Sequence, residues 1–267
     1  MVIDMSGSDS VDQRHSDALR KLQSGAIAEA LSDYKAIVSD NPDDTFALVQ
    51  MGFAFEHRSE NLEAAKAYRR ALKVDAKCID AAVGYSRLAL RMGKPKTALR
   101  MLSKASSIKP ESHDIWCDMG SVQRDLGQLK PAIKSFRRAL EIDPHSSIAN
   151  YNLGTCYRDA GKDRKAVALL RRAAATSPGS GMVISLMAAI LSDLGSVSTA
   201  LTLLDNHLRA NPEDVDCQQA RALIQLRAGN LSEGFENYEW RFAPAPQGVS
   251  ERPFQQRLWG GQPTDSE

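Results

Sequence analysis

Residues 113–146 read HDIWCDMGSVQRDLGQLKPAIKSFRRALEIDPHS, and residues 147–180 read SIANYNLGTCYRDAGKDRKAVALLRRAAATSPGS. Laid over one another, the two stretches pair Gly120 with Gly154, Gly127 with Gly161, Ala132 with Ala166 and Pro144 with Pro178. Apolar residues recur at helical spacing on both sides of the second glycine. Trp116, Met119 and Gly120 precede it in the first stretch, and Ala132, Ile133, Phe136, Ala139 and Leu140 follow it. The second stretch repeats this with Leu153, Gly154 and Tyr157, then Ala166, Leu170 and Ala173. A glycine between two amphipathic segments supplies the left-handed residue that ends a helix and turns the chain. A proline after the second segment stops that helix from continuing. Each stretch therefore predicts a helix–turn–helix hairpin.

The same 34-residue step extends outward in both directions. Pro42, Pro110, Pro144, Pro178, Pro212 and Pro246 share one phase, with Ala76 in the single gap. Gly25, Gly93, Gly127, Gly161, Gly195 and Gly229 share a second, with Ser59 in the gap. Ala30, Ala64, Ala98, Ala132, Ala166 and Ala200 share a third, continued by Gly234. The alanine column marks close helix approach, and Gly52, Gly120 and Gly154 do the same on the first helices, where glycine otherwise costs helix propensity. Pro95 and Pro131 fall near the start of second helices, where a missing N–H is harmless. One hairpin cannot bury its own apolar face, so neighbours must stack.

This pattern resembles the tetratricopeptide repeat family. Trp116, Met119, Gly120, Gly127, Ala132, Phe136, Ala139 and Pro144 carry the resemblance in one repeat, and Leu48, Met51, Gly52, Phe55, Ala64, Tyr68 and Ala71 in another. The resemblance implies an all-α, right-handed superhelical solenoid of about seven repeats, with a concave groove lined by the first helices. The expected organisation is a disordered segment over 1–10, a solenoid over 11–242 with repeats starting near 11, 45, 79, 113, 147, 181 and 215, and an extended, partly packed tail over 243–267. Arg14, Asp17 and Lys21 give the first repeat a polar outer face suited to capping the stack. The seventh repeat is irregular at Gln218, Gln225 and Arg241.

Composition narrows the function classes. The net charge of +1 offers no global attraction to nucleic acid or to an anionic membrane. Cys78, Cys117, Cys156 and Cys217 form no CxxC pair and no spacing typical of metal ligands, which reads as free thiols in a reducing compartment. No apolar run is long enough to span a membrane, and residues 1–12 lack a signal-peptide core, so cytoplasmic residence is expected. His15, His57, His113, His145 and His207 occupy different repeat positions, and no phosphate loop or nucleophile elbow occurs. Accordingly, no catalysis, cofactor or metal is expected. Arg69–Arg70, Arg137–Arg138 and Arg171–Arg172 share one position on the outer helices and read as a solvated stripe.

If the family geometry holds, repeat positions identify the groove. The partner-binding candidates are Phe46, Val49 and Phe53, then Arg87 and Arg91, then Cys117 and Arg124, then Tyr151, Thr155 and Arg158. Glu56, His57, Val83, Leu90, Ser121, Asp125 and Asp159 share their positions. An apolar start followed by an arginine-rich middle suits a peptide or protein segment carrying acidic residues. Alternatively, Arg124 with Asp125 and Arg158 with Asp159 form a charge ladder of the chain itself. Two groove chemistries of the family are absent. The positions of the carboxylate clamp hold His15, Leu19, Gln50, Asp80 and Gly84, and those of the asparagine ladder of O-GlcNAc transferases hold Ser16, Gln50, Gly84, Asp118, Asn152, Leu186 and Ala220.

The last repeat, with Phe235, Tyr238, Glu239, Trp240 and Arg241, is followed by Trp259-Gly260-Gly261. This is similar to the junction in bacterial proteins where such repeats lead into a glycosyltransferase-like domain. The simpler reading makes Phe235, Tyr238, Trp240 and Trp259 an apolar seal on the stack. Three functions stay open: a scaffold or adaptor binding protein segments, a non-catalytic substrate-recognition region of a protein-glycosylation system, and self-association through the end repeats.

Overall fold

The structure, a computed structural model, describes the backbone of residues 6–242 and the side chains of residues 11–240. These residues form fourteen α-helices and a closing 3-10 turn. The chain divides into two compact units, Met1–Pro178 and Gly179–Glu267. In the first unit five hairpins follow one another: α1 (Ser6–Gln23) with α2 (Ile27–Asp40), α3 (Thr45–His57) with α4 (Asn61–Val74), α5 (Ile79–Arg91) with α6 (Pro95–Ile108), α7 (His113–Asp125) with α8 (Leu129–Ile142), and α9 (Ser147–Asp159) with α10 (Asp163–Thr176). The second unit holds α11 (Gly181–Asp193) with α12 (Val197–Ala210) and α13 (Val215–Arg227) with α14 (Leu231–Tyr238). Within each unit a hairpin packs its two helices together, and its second helix packs on the first helix of the next hairpin. The helix α1 begins at Ser6, inside the stretch expected to be disordered. The tail from 243 onward, with Trp259, lies outside the described residues.

The turns follow from the glycine column. Gly25, Gly93, Gly127, Gly161, Gly195 and Gly229 all have positive φ. After each, the next N–H reaches back five residues, as in Lys94 N–H to Ala89 O at 2.8 Å and Lys162 N–H to Tyr157 O at 2.7 Å. This closure satisfies carbonyls that the helix end would otherwise strand. Ser59, in the gap of the column, adopts the same geometry at φ 60° and keeps the same bond, Glu60 N–H to Phe55 O at 2.9 Å. Pro95 opens α6. At the other ends, Asp44, Ser146 and Asp214 accept backbone N–H groups from Ala47, Ala149 and Cys217.

Three buried columns hold the hairpins together. The predicted alanines, Ala30 through Ala200, are all fully buried. On the first helices a parallel column holds Ala18, Gly52, Ser86, Gly120 and Gly154, then Ala188 and Ala222 in the second unit. Sixteen residues further along, on the second helices, stand Tyr34, Tyr68, Leu102, Phe136, Leu170 and Leu204, each almost wholly buried. The glycines admit the rings. A Cβ on Gly52 would sit 2.5 Å from the Tyr68 ring, and one on Gly120 would sit 2.8 Å from Phe136. Where the large partner is Leu170, the approach to Gly154 relaxes to 3.2 Å.

The irregular seventh repeat adds a polar network to its apolar packing around Ala222 and Ile224. Gln218 and Gln225 are buried. Gln218 donates to Pro212 O at 2.7 Å, Arg221 donates to Gln218 and to Asn237, and Asn237 donates to Gln225 at 2.9 Å. Phe235 is 60% exposed, so it does not act as the expected seal among the described residues.

Ser59 supplies a direct test of the turn. Placing a non-glycine residue in the left-handed region costs energy that glycine avoids, partly offset by glycine's greater freedom in the unfolded chain, so Ser59→Gly is expected to stabilise by about 0.5–1 kcal/mol. Urea unfolding followed by circular dichroism measures it, and a stability loss would mean that the Ser59 side chain contributes something the turn geometry does not show.

Candidate functional site

The first helices α3, α5, α7 and α9 present one face of the first unit. Eight of the ten predicted partner-binding residues reach it. Val49 and Cys117 do not: they are only 3% and 7% exposed. Val83 and Tyr151 at the same repeat position stay half-buried, so side-chain size alone does not set the depth there. Phe46 is exposed and stands edge-on to His15, with ring centroids 5.1 Å apart.

Glu56 organises the next layer. It comes from the last turn of α3 and is almost fully buried. Its carboxylate accepts the Tyr68 hydroxyl at 2.5 Å, Arg91 at 2.5 Å and Arg87 at 3.2 Å. The Arg87 guanidinium also lies over the Phe53 ring, 5.1 Å from its centre, and that ring meets Tyr68 edge-on. Burial, followed by the hydrogen bond to Glu56, drives the Tyr68 hydroxyl pKa upward, so it remains a donor. Two of the arginines expected to await an acidic ligand are thus already committed to a carboxylate of the chain. One buried charge shared between two half-exposed guanidiniums avoids the cost of an unpaired ion.

Further along, Arg124 donates to Asn152 at 3.2 Å, a bond that joins two repeats, and touches Asp125 only at 3.9 Å. Arg158 likewise has Asp159 at 3.9 Å. Thr155 turns its hydroxyl back to Tyr151 O at 3.0 Å. On the second helices, Arg70 binds Pro42 O, Arg137 donates to the Tyr157 hydroxyl, and Arg138 pairs with Glu141, so these members of the arginine stripe have structural partners.

Between α3, α5 and α7 the face opens into a cavity of about 230 Å³. Phe53, Ile79, Val83, Gly84 and Ile115 give it apolar walls, and Asp80, Arg87, Lys109, Ser112, Asp114 and Asp118 give it charge and polarity. The carboxylates were not among the predicted partner-binding residues, although Asp80 and Asp118 stand at groove positions named for the clamp and the asparagine ladder. Asp80 and Asp114 come from the first turns of α5 and α7, and Asp118 from one turn further along α7. Burial by the surrounding face raises the Asp118 pKa, and Asp114 raises it further against the opposing pull of Arg87.

Three histidine clusters emerge that sequence spacing did not reveal. His113 lies between Asp114 at 3.1 Å and the Cys117 sulfur at 3.3 Å. The arrangement looks like an activated thiol, yet burial pushes Cys117 up to about 12, which leaves it protonated and a poor nucleophile at neutral pH. In the second unit, His207, Asp214 and Cys217 bring potential metal-binding atoms within 4.8 Å of one another. Each is engaged already. The Asp214 carboxylate accepts the Cys217 N–H at 3.0 Å and is bonded to His207 at 2.9 Å. Burial opposes the Asp214 charge, but these bonds outweigh it and hold its carboxyl below the usual carboxylate range. Burial also pushes the Cys217 thiol up to about 12. The same capping arrangement recurs without a thiol at Asp44, which accepts Ala47 N–H and meets His15 at 3.0 Å. A histidine-braced helix cap accounts for both.

Residues 123–190 match the family model described as tetratricopeptide repeat. That stretch holds the whole α9–α10 hairpin together with α8 and most of α11. Among solved structures, a Pseudomonas aeruginosa pilF protein is 17% identical with a TM-score of 0.68, covering 80% of this chain and 98% of its own. A tetratricopeptide repeat protein from Parabacteroides merdae is 16% identical with a TM-score of 0.66, covering 86% and 91%. YrrB, described as a TPR protein with an unusual peptide-binding site, is 21% identical with a TM-score of 0.61, covering 74% and 98%. At these identities the likeness is one of fold. No curated protein matches the sequence significantly. Among the described residues no helix is long and apolar enough to cross a membrane.

The Glu56 cluster predicts its own mutational response. Glu56→Ala strands the buried Tyr68 hydroxyl and leaves a void, at a cost of about 2 kcal/mol, whereas Glu56→Gln keeps an acceptor and loses roughly half as much. Equilibrium unfolding of the two variants checks the order.

Proposed function

We propose that this chain is a non-catalytic scaffold that holds a segment of a partner protein against the first-helix face of its first unit. The observation carrying the proposal is the open cavity between α3, α5 and α7, whose walls combine apolar side chains with a few placed charges. Apolar contact there supplies affinity, and the charges select among segments. The ligand extends along α7 and α9, where Arg124 and Arg158 keep only distant carboxylate contacts and meet acidic residues of the partner. Arg87 and Arg91 act indirectly, by shaping the wall through Glu56. Fold relatives support the reading at the level of repeat scaffolds, and one of them is described as having a peptide-binding site.

Val83 offers a clean probe, because it lines the cavity without being fully buried. Panning a random peptide library against the whole chain is expected to yield binders. Their affinity by titration calorimetry should fall at least about tenfold in Val83→Trp, which fills the cavity, while helical circular dichroism stays unchanged. Binders unaffected by this change would place recognition elsewhere.

A further inference from the structure

The second helices of the first unit carry a charge pattern that folding does not require. Lys96, Arg100 and Lys104 stand every fourth residue along α6, and Lys130, Lys134 and Arg138 do the same along α8. Like charges at that spacing share a helix face and repel. Lys96, Lys130 and Arg164 each occupy the second residue of their helix, where a cation opposes the helix dipole. Acidic residues that could offset them are scarce. The helix α6 has none, and α4, α8 and α10 have only Glu63, Glu141 and Asp163. At the repeat positions of Lys96, Arg100 and Lys104, α2 has Ala28, Ser32 and Ala36, and α12 has Ser198, Thr202 and Asn206. The hairpin therefore forms without these cations.

Most of the cations are also available to a ligand. Lys96, Arg100, Lys130, Lys134, Arg171 and Arg172 are exposed, and none makes an ion pair or a hydrogen bond among the described residues. The pattern runs across the helices as well as along them, since Arg70, Lys104, Arg138 and Arg172 follow one another at the repeat step. The result is an array of positive charge spread over α4, α6, α8 and α10. It belongs to the second helices, whereas the groove belongs to the first.

We propose that this second-helix face docks the chain on an anionic phospholipid surface. The charge fixes the sign of the partner, and its spread in two directions matches a plane of headgroups rather than the single track of a strand. Leu62 separates a lipid surface from other polyanions. It takes on α4 the place that Lys96, Lys130 and Arg164 take on the following helices, and it is 69% exposed. An apolar side chain beside cations inserts below the headgroups and adds the second of the two weak signals that peripheral binding combines. Against a phosphodiester backbone it gains nothing. The positions that carry the array hold no aromatic or amide side chain to stack on bases or read them. The first-helix groove stays open to the aqueous side, so the proposal stands independently of what the groove binds.

Sedimentation of the whole chain with phosphatidylcholine vesicles, with and without about one third phosphatidylserine, provides the test. Binding is expected only with phosphatidylserine, and it should fall steeply as salt rises. Lys96→Gln, Arg100→Gln, Lys130→Gln and Lys134→Gln combined should weaken it at least about tenfold. The same change in net charge placed on the second unit, by Ser198→Glu, Thr202→Glu, Asn206→Glu and Ser232→Glu combined, should leave it within about twofold. Leu62→Ser alone should weaken vesicle binding severalfold. Helical circular dichroism verifies the fold of each variant. Equal sedimentation with both kinds of vesicle, or equal losses in the two fourfold variants, would overturn the proposal. Tighter binding to duplex DNA at the same salt, or no loss in Leu62→Ser, would assign the face to nucleic acid and overturn the lipid reading.

Discussion

Two helices of a hairpin can approach closely only where one gives up its side chain to make room for the other's. That constraint is met outright at Gly52 and Gly120, and by a small residue, Ala18, Ser86, Ala188 or Ala222, at the same position of other repeats. Gly52 and Gly120 have no side chain because Tyr68 and Phe136 occupy the space. The exchange is favourable. Glycine in a helix costs about 1 kcal/mol, while burying a large apolar side chain returns about 1.5–3 kcal/mol. It also sets where everything else goes. With the ring of Tyr68 locked between Gly52 and Gly84, its hydroxyl is delivered to Glu56, and Glu56 in turn holds Arg87 and Arg91 from the following repeat.

The functional face is thus a consequence of packing rather than an addition to it. Gly84 is both a wall of the cavity and the gap that seats Tyr68. Arg87 is both a lining residue and a lid over Phe53. A side chain in a solenoid meets only its own repeat and its neighbours, so each feature is decided locally. The different chemistry of successive repeats then makes one face vary along its length. Carboxylates dominate between α5 and α7, and less engaged arginines follow on α7 and α9.

Much of the architecture was legible because backbone requirements leave residue-type signatures. A residue at positive φ wants glycine, and a close helix crossing wants alanine or glycine. Both recur at the repeat length, and even Ser59, the misfit of its column, keeps the turn. Side-chain partnerships leave no such trace. The repeat register placed Arg87, Arg91 and Glu56 on one face, but nothing in it says that a carboxylate 31 residues from one arginine and 35 from the other is buried and shared by both. The register placed Asp80 and Asp118 at groove positions but did not show that they line one cavity. The same limit hid the His207–Asp214–Cys217 cluster, which forms because a helix end, a cap and the next helix converge within one turn. Val49 and Cys117 were assigned to the right face but not to the right depth, since one residue type at this repeat position is buried as Val49 and half-buried as Val83.

If small-for-large exchange is what positions the repeats, it must appear as energetic coupling. A double-mutant cycle on Gly120 and Phe136, read by urea unfolding, measures that coupling most directly. The account predicts that Gly120→Ala destabilises, overpacking at the 2.8 Å approach outweighing the roughly 1 kcal/mol gain in helix propensity. Phe136→Leu should destabilise as well, and the double variant should lose less than the sum of the two by about 1 kcal/mol or more. Stabilisation by Gly120→Ala, with effects that simply add, would contradict it.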